Sequence, residues 1–176
     1  MSSAKTTFHI GDTVVYAMQG TGRIKNILTR TTEGRVQCFY QIVLERNQGE
    51  VLVPVEDARA LGLRHALRAS EVPQVIQRLQ QAASRPVVRG RTEDHYTWCK
   101  RRLRQGHTLG LAEVRRFLHD LEQVESFANP HLRQLRSYVY TQLPAEIAQA
   151  LGCPLATAAH LVDTALTSTQ PVALPS

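Results

Sequence analysis

Aromatic side chains are scarce in this sequence, 6% of 176 residues, and Trp98 is the single tryptophan. Cysteine is scarcer still. Cys38, Cys99 and Cys153 are odd in number and widely spaced, which argues against a disulfide framework and fits a reducing cytoplasm. Met1 to Thr7 is polar and lacks the apolar segment of a secretory leader. No apolar run approaches the length of a membrane span, so neither feature is expected. Internal repeats and low-complexity tracts are missing, and so are the signatures of catalysis. Gly20-Thr21-Gly22 is followed by β-like residues rather than a helix, which makes it a bend and not a phosphate cradle. The seven histidines show no nucleophile–base pattern, and His95 and His107 read as surface groups rather than catalysts. His95 and Cys99, spaced i, i+4 on a helix, could form half of a metal site, but no second half has suitable spacing. No catalytic residue, metal or cofactor is therefore expected.

What is present is an ordinary globular composition, 43% hydrophobic and 20% charged, able to bury a core in one domain or two small ones. The formal charge of +6 is uneven. Residues 85–104 carry seven basic and two acidic side chains, while the rest of the chain is close to balanced. A short basic segment attracts polyanions, nucleic acid above all, although a charge run can also be a solvated face.

The first third reads as β structure. Val14–Tyr16 follows a turn at Gly11-Asp12, Gly20 and Gly22 flank a second bend, and 24–31 continues extended. Glu33-Gly34 turns the chain into 36–44, where Cys38, Tyr40, Ile42 and Leu44 alternate with residues of the opposite face. Asn47-Gln48-Gly49 leads into 51–53, and Pro54 ends that strand or places it at an edge. Four or five short strands in about sixty residues predict a small barrel. Beyond Ala58 the pattern is helical. Ser70 is the expected cap of a helix whose apolar face is Val72, Val75, Ile76 and Leu79. A loop is expected over 84–90, and Gly106 and Gly110 should bracket a further break. Val114, Phe117, Leu118 and Leu121 mark an amphipathic helix. Asn129-Pro130 opens another with Leu132, Leu135 and Val139 inward. Pro144 should kink or split that helix, Gly152 should end it, and Pro154 should start a last helix running to about Leu166.

Thr92–Gln105 reads as a short helix with Thr92 as N-cap. At about 100° per residue Tyr96, Cys99 and Leu103 form one apolar stripe. Trp98 falls roughly 100–160° from each of them, on the side of Arg101 and Arg102. Two readings follow: a core tryptophan, or an exposed ring beside a phosphate-binding surface made by Lys100, Arg101, Arg102 and Arg104. A second pattern, 146–162, has the small-residue and glycine spacing of a helix-turn-helix. Its would-be recognition helix offers only Thr157 and His160 to read bases.

Several segments resemble the CarD/CdnL transcription regulators of bacteria: FHIGDTVVYAMQGTGRI (Phe8–Ile24), FYQIVL (Phe39–Leu44), VLVPVEDARALGLR (Val51–Arg64), Glu71-Val72 before a helix, and Trp98-Cys99-Lys100-Arg101-Arg102. The first 66 residues are similar to the module shared with the RNA-polymerase-interacting part of transcription-repair coupling factors. The resemblance implies an α+β multidomain protein: a Tudor/SH3-like β-barrel at 8–66 and a helical DNA-interacting bundle at 67–167, flanked by a disordered N-terminus at 1–7 and a flexible tail at 168–176. It implies docking on the RNA polymerase β subunit through a strand edge, with Arg30 and Leu52 at polymerase-contacting positions. It implies that Trp98 wedges into the minor groove at the upstream edge of the transcription bubble. Lys100, Arg101, Arg102 and Arg104 would hold promoter DNA without reading sequence, which stabilises the open complex. The expected protein is a non-enzymatic cytoplasmic regulator, one copy per polymerase, with no membrane partner. The alternative is a sequence-specific DNA-binding repressor that uses the helix-turn-helix at 146–162.

Overall fold

A computed structural model describes residues 8–32, 34–83, 92–105, 108–124 and 126–168. The terminal segments 1–7 and 169–176, the loop expected over 84–90, and Glu33, Gly106 and His107 lie outside the described residues, as do the side chains of Thr92, Glu93 and Asp94. The chain divides into two compact units between Ala66 and Leu67, with the short stretch 104–106 grouped with the first.

In the first unit, five antiparallel strands follow one another: β1 (Thr13–Tyr16), β2 (Gly20–Thr32), β3 (Arg35–Leu44), β4 (Glu50–Pro54) and β5 (Leu63–His65). Their order in the sheet is β4-β3-β2-β1-β5. Pro54 ends β4, an edge strand where its missing N–H costs no ladder bond. No pairing joins β4 to β5 among the described residues, so the sheet is open where a closed barrel was expected. Closure needs the two outer strands to meet, and β5 is only three residues long. Gly22 is not part of a bend. It lies within β2 opposite Leu44, and a Cβ there would stand 2.7 Å from the Val43 carbonyl oxygen. Glycine is needed for close backbone approach, not for a turn. The β2–β3 hairpin closes from Thr32 to Arg35, and Gly34 takes a φ of +75°, a conformation open to glycine at little cost.

Alternation sorts this sheet into two faces. Ile24, Tyr40, Ile42, Leu44 and Val53 point into a core completed by Phe8, Val14, Val55 and Leu63. Phe8 packs edge-on to the Tyr40 ring at 5.6 Å, and its N–H donates to the Tyr40 hydroxyl.

The second unit holds α1 (Val72–Gln80), α2 (Thr92–Arg104), α3 (Thr108–Glu122), α4 (Pro130–Leu151) and α5 (Leu155–Thr167). A 3₁₀ turn, Ala69–Glu71, precedes α1 and takes in Ser70, so the cap is not Ser70. The Glu71 carboxylate instead accepts from the Arg68 N–H at 2.9 Å. Gly110 also departs from expectation, since it lies inside α3. A Cβ there would come within 2.8 Å of the Arg102 carbonyl oxygen, so the missing side chain lets α2 and α3 approach. Asn129 caps α4 by accepting from the N–H groups of His131 and Leu132, and Gly152 ends it with a φ of 62°. Pro144 does not split α4, which runs unbroken for 22 residues. Leu143, Pro144 and Ile147 are all buried there, and that packing outweighs one lost backbone bond.

Arginine closes this core. The buried Arg116 donates from Nη1 to the carbonyls of Leu79 and Leu166, near the C-terminal ends of α1 and α5, and pairs through Nε with Asp120. Helix ends leave carbonyls without partners, and this one guanidinium satisfies two.

Candidate nucleic-acid and partner interface

Trp98 is buried, 6% exposed, and the expectation of an exposed ring is overturned. Its indole lies 4.8 Å from the Phe117 ring of α3, and the Arg102 guanidinium sits 5.7 Å from it. The cause lies in His95. Read as polar, His95 was left out of the apolar stripe, yet it is fully buried and packs edge-on to Phe117 at 5.3 Å. On the helix it falls roughly 60° from Trp98 and 40° from Cys99, bridging the two into one broad buried arc. In this structure the Trp98 ring is packed in the helical core rather than presented at the surface.

The basic residues of α2 separate by face. Arg101 is exposed, as is Arg104 at the helix end, and Lys100 is half-buried. Arg102 leans inward and pairs with Glu113 of α3 at 3.2 Å, and Glu113 also holds Arg78 of α1 at 3.0 Å. Arg102 therefore ties α2 to α3 and belongs to the packing rather than to the outer face. Lys100 places its ammonium 5.6 Å from the Tyr96 ring, and that ring lies 5.7 Å from the His131 imidazole of α4. Lys100, Tyr96 and His131 thus form one surface patch, and Arg101 is exposed on a different face of α2.

His95 and Cys99 are both fully buried. Among the described residues no group of three or more His, Cys, Asp or Glu side chains is placed to hold a metal ion. In 146–162, Ala158 is buried while Thr157 and His160 are exposed. The charged group beside them on α5 is Asp163, largely exposed and paired with Arg115, which would repel a phosphate backbone.

On the first unit, Arg30 is exposed and Leu52 half-buried. The strand register places both on the face turned away from the core. Asn26, Gln41 and Leu52 form one cross-strand row, Leu28, Phe39 and Pro54 the next, and Arg30 and Gln37 a third. The register puts four half-buried apolar residues, Leu28, Phe39, Leu52 and Pro54, on the same outer face as Arg30, with Leu28 and Phe39 in the row next to it. The signal for them was present in the alternate residues of β2, β3 and β4. Lys25, in a β-bulge, reaches the same face and bonds Glu50 at 2.8 Å, with Gln41 donating to the other Glu50 oxygen. Lys25 first, then Gln41, hold the exposed Glu50 carboxyl below the usual carboxylate range.

Strand edges are open here too. β1 covers β2 only up to Arg23, and β4 covers β3 only as far as Phe39. Residues 26–32 of β2 thus pair with β3 alone, and 35–37 of β3 pair with β2 alone, among the described strands; Val36 is 71% exposed. Such edges accept another strand.

No helix among the described residues is long and apolar enough to cross a membrane. A family model described as the CarD-like/TRCF RID domain matches residues 8–66.

Proposed function

We propose, from the match of residues 8–66 to the CarD-like/TRCF RID domain, a non-enzymatic transcription regulator that docks on the β subunit of RNA polymerase and stabilises open promoter DNA. The single observation that carries the docking half is the match over 8–66. The open edges of the β2–β3 hairpin suit β-augmentation, in which backbone bonds supply affinity and side chains supply selectivity. Arg30 and the row of Leu28, Phe39 and Pro54 flank that edge and would set the selectivity.

The DNA half rests on the outward face of α2. Arg101 and Lys100 contact phosphates without reading bases, in keeping with the locally basic composition of 85–104. Insertion of Trp98 is no part of this reading, because the ring would first have to leave Phe117. A regulator bound to polymerase needs little intrinsic DNA affinity, since tethering raises the effective concentration of its contact face. It shifts promoter opening only by its differential affinity for open over closed DNA, and about 1.4 kcal/mol of that gives roughly tenfold more open complex.

The test uses purified polymerase and a promoter fragment. Arg30→Glu is expected to abolish co-purification with polymerase. The double substitution K100A/R101A should bind polymerase as wild type does but shorten open-complex lifetimes several-fold. Wild-type polymerase binding by Arg30→Glu, or unchanged lifetimes with K100A/R101A, would overturn the corresponding half.

A further inference from the structure

We propose that Tyr96, Lys100 and His131 form a stacking platform for unpaired bases of single-stranded DNA. The inference rests on the reading that α2 faces opened DNA, and it adds a class of ligand which that reading leaves unspecified.

The rings carried by α2 and its neighbours differ in exposure. Trp98 and Phe117 are sealed in the core, whereas Tyr96 is half-buried and His131 is exposed. Tyr96 packs against the core and meets His131 at a tilt of 38° across the gap between α2 and α4. Lys100 sits over the Tyr96 ring. The result is an exposed imidazole beside a phenol ring that is anchored on the core and carries a cation. Proteins that bind single strands combine these parts: a flat π surface accepts any base face, while nearby cations follow the backbone. A duplex hides its base faces within the stack, so the platform discriminates in favour of melted strands where the arginine face alone does not. The pair is also held in place: His131 lies in the first turn of α4, its own N–H bonded to the Asn129 side chain at 2.9 Å.

The experiment measures binding of the full chain to a fluorescein-labelled oligothymidine and to a duplex of equal length at low salt. The buried Trp98 serves as a check of folding through its emission maximum. Tyr96→Leu keeps an apolar side chain against the core but removes the π face. It and His131→Ala should each weaken single-strand binding about five- to tenfold, with duplex binding changed less than twofold. Tyr96→Phe should bind as wild type does, and Arg101→Ala should weaken both ligands. Equal losses on the two ligands, or single-strand binding unaffected by Tyr96→Leu and His131→Ala with Trp98 emission unchanged, would overturn the platform. Arg101-dependent duplex binding with indifference to Tyr96 and His131 sinks the platform alone. No binding to either DNA removes the platform and the DNA half of the proposed function together, while polymerase co-purification reports on docking independently.

Discussion

The two units handle polar side chains in opposite ways. In the sheet, charge stays in solvent: Lys25 and Glu50 pair on the outer face with side chains 57% and 46% exposed. In the helical unit His95, Arg115, Arg116 and Glu146 are buried, and the first three contact other helices. Every histidine, arginine or carboxylate side chain buried among the described residues therefore lies in the second unit, whereas the charges of the sheet stay at its surface. The largest effect that sharpens this contrast is expected at Trp98. As a core residue against Phe117, Trp98→Ala should cost about 3–5 kcal/mol in urea unfolding. An exposed wedge would cost no more than roughly 0.5 kcal/mol. Wild-type emission should be blue-shifted and poorly quenched by acrylamide; a red-shifted, fully quenched ring would restore the surface reading.

The same contrast explains what the sequence made legible. Strands β1 to β4 and the inward set of β3 follow from alternation, because each polar residue there does face out. Phe117, Leu118 and Leu121, or Leu132, Leu135 and Val139, follow from helical spacing for the same reason, and all six are fully buried. Helical spacing leaves Trp98 between a core and an exposed reading, because His95, polar yet fully buried, does not register in the apolar arc of α2. Gly22 and Gly110 were read as chain breaks although each serves a close approach between neighbouring backbones, and nothing local distinguishes the two uses. β5 is three residues long and carries Arg64 and His65, too little pattern to see. On the candidate interface, Arg101 and Lys100 were legible as a charge run. The inward turn of Arg102 was not, because it depends on Glu113, eleven positions later and on another helix.

Glu113 ranks next in expected effect. It is 17% exposed at its side chain and holds both Arg78 and Arg102. Glu113→Ala removes the carboxylate that pairs with two guanidinium groups, one of them well buried. A loss of about 2 kcal/mol is expected in the urea midpoint. Arg102→Ala on the wild-type background should cost less, because Arg78 keeps its partner. If both substitutions were neutral, the distinction between an inward Arg102 and an outward Arg101 would fail.

A pH titration probes the buried side of the contrast more gently. Tyr140 lies between two guanidinium groups, Arg115 at 3.6 Å and Arg136 at 4.2 Å from its ring, and donates its hydroxyl proton to Glu122. Burial, reinforced by the Glu122 hydrogen bond, pushes the phenol from 10 up to about 12. The folded protein therefore holds this proton more tightly than the unfolded chain. The contribution is fully present below pH 10 and is lost as pH rises from 10 to about 12. Stability of wild type should fall across that window, and Tyr140→Phe should flatten the fall. An unchanged slope in the variant would show that the hydroxyl does not titrate in this environment.

The smallest effect is expected at Lys25, and it is the one that can break the comparison from the sheet side. Lys25 is the strongest influence holding the Glu50 carboxyl below its ordinary range. A lowered carboxylate stabilises the fold above its unfolded pKa and loses that contribution as pH falls. Both groups stand in solvent, however, where water and salt screen the charges and the side chains lose entropy on pairing. Lys25→Ala should therefore leave the urea midpoint at neutral pH within experimental error, and adding salt to wild type should do the same. A clear destabilisation by Lys25→Ala, of the kind expected for Glu113→Ala, would mean that the outer face of the sheet also depends on its charges for folding. The bulge at Lys25 would then be part of the frame that holds Leu28, Phe39 and Leu52 in their rows, and substitutions there could not be read as effects on polymerase docking alone.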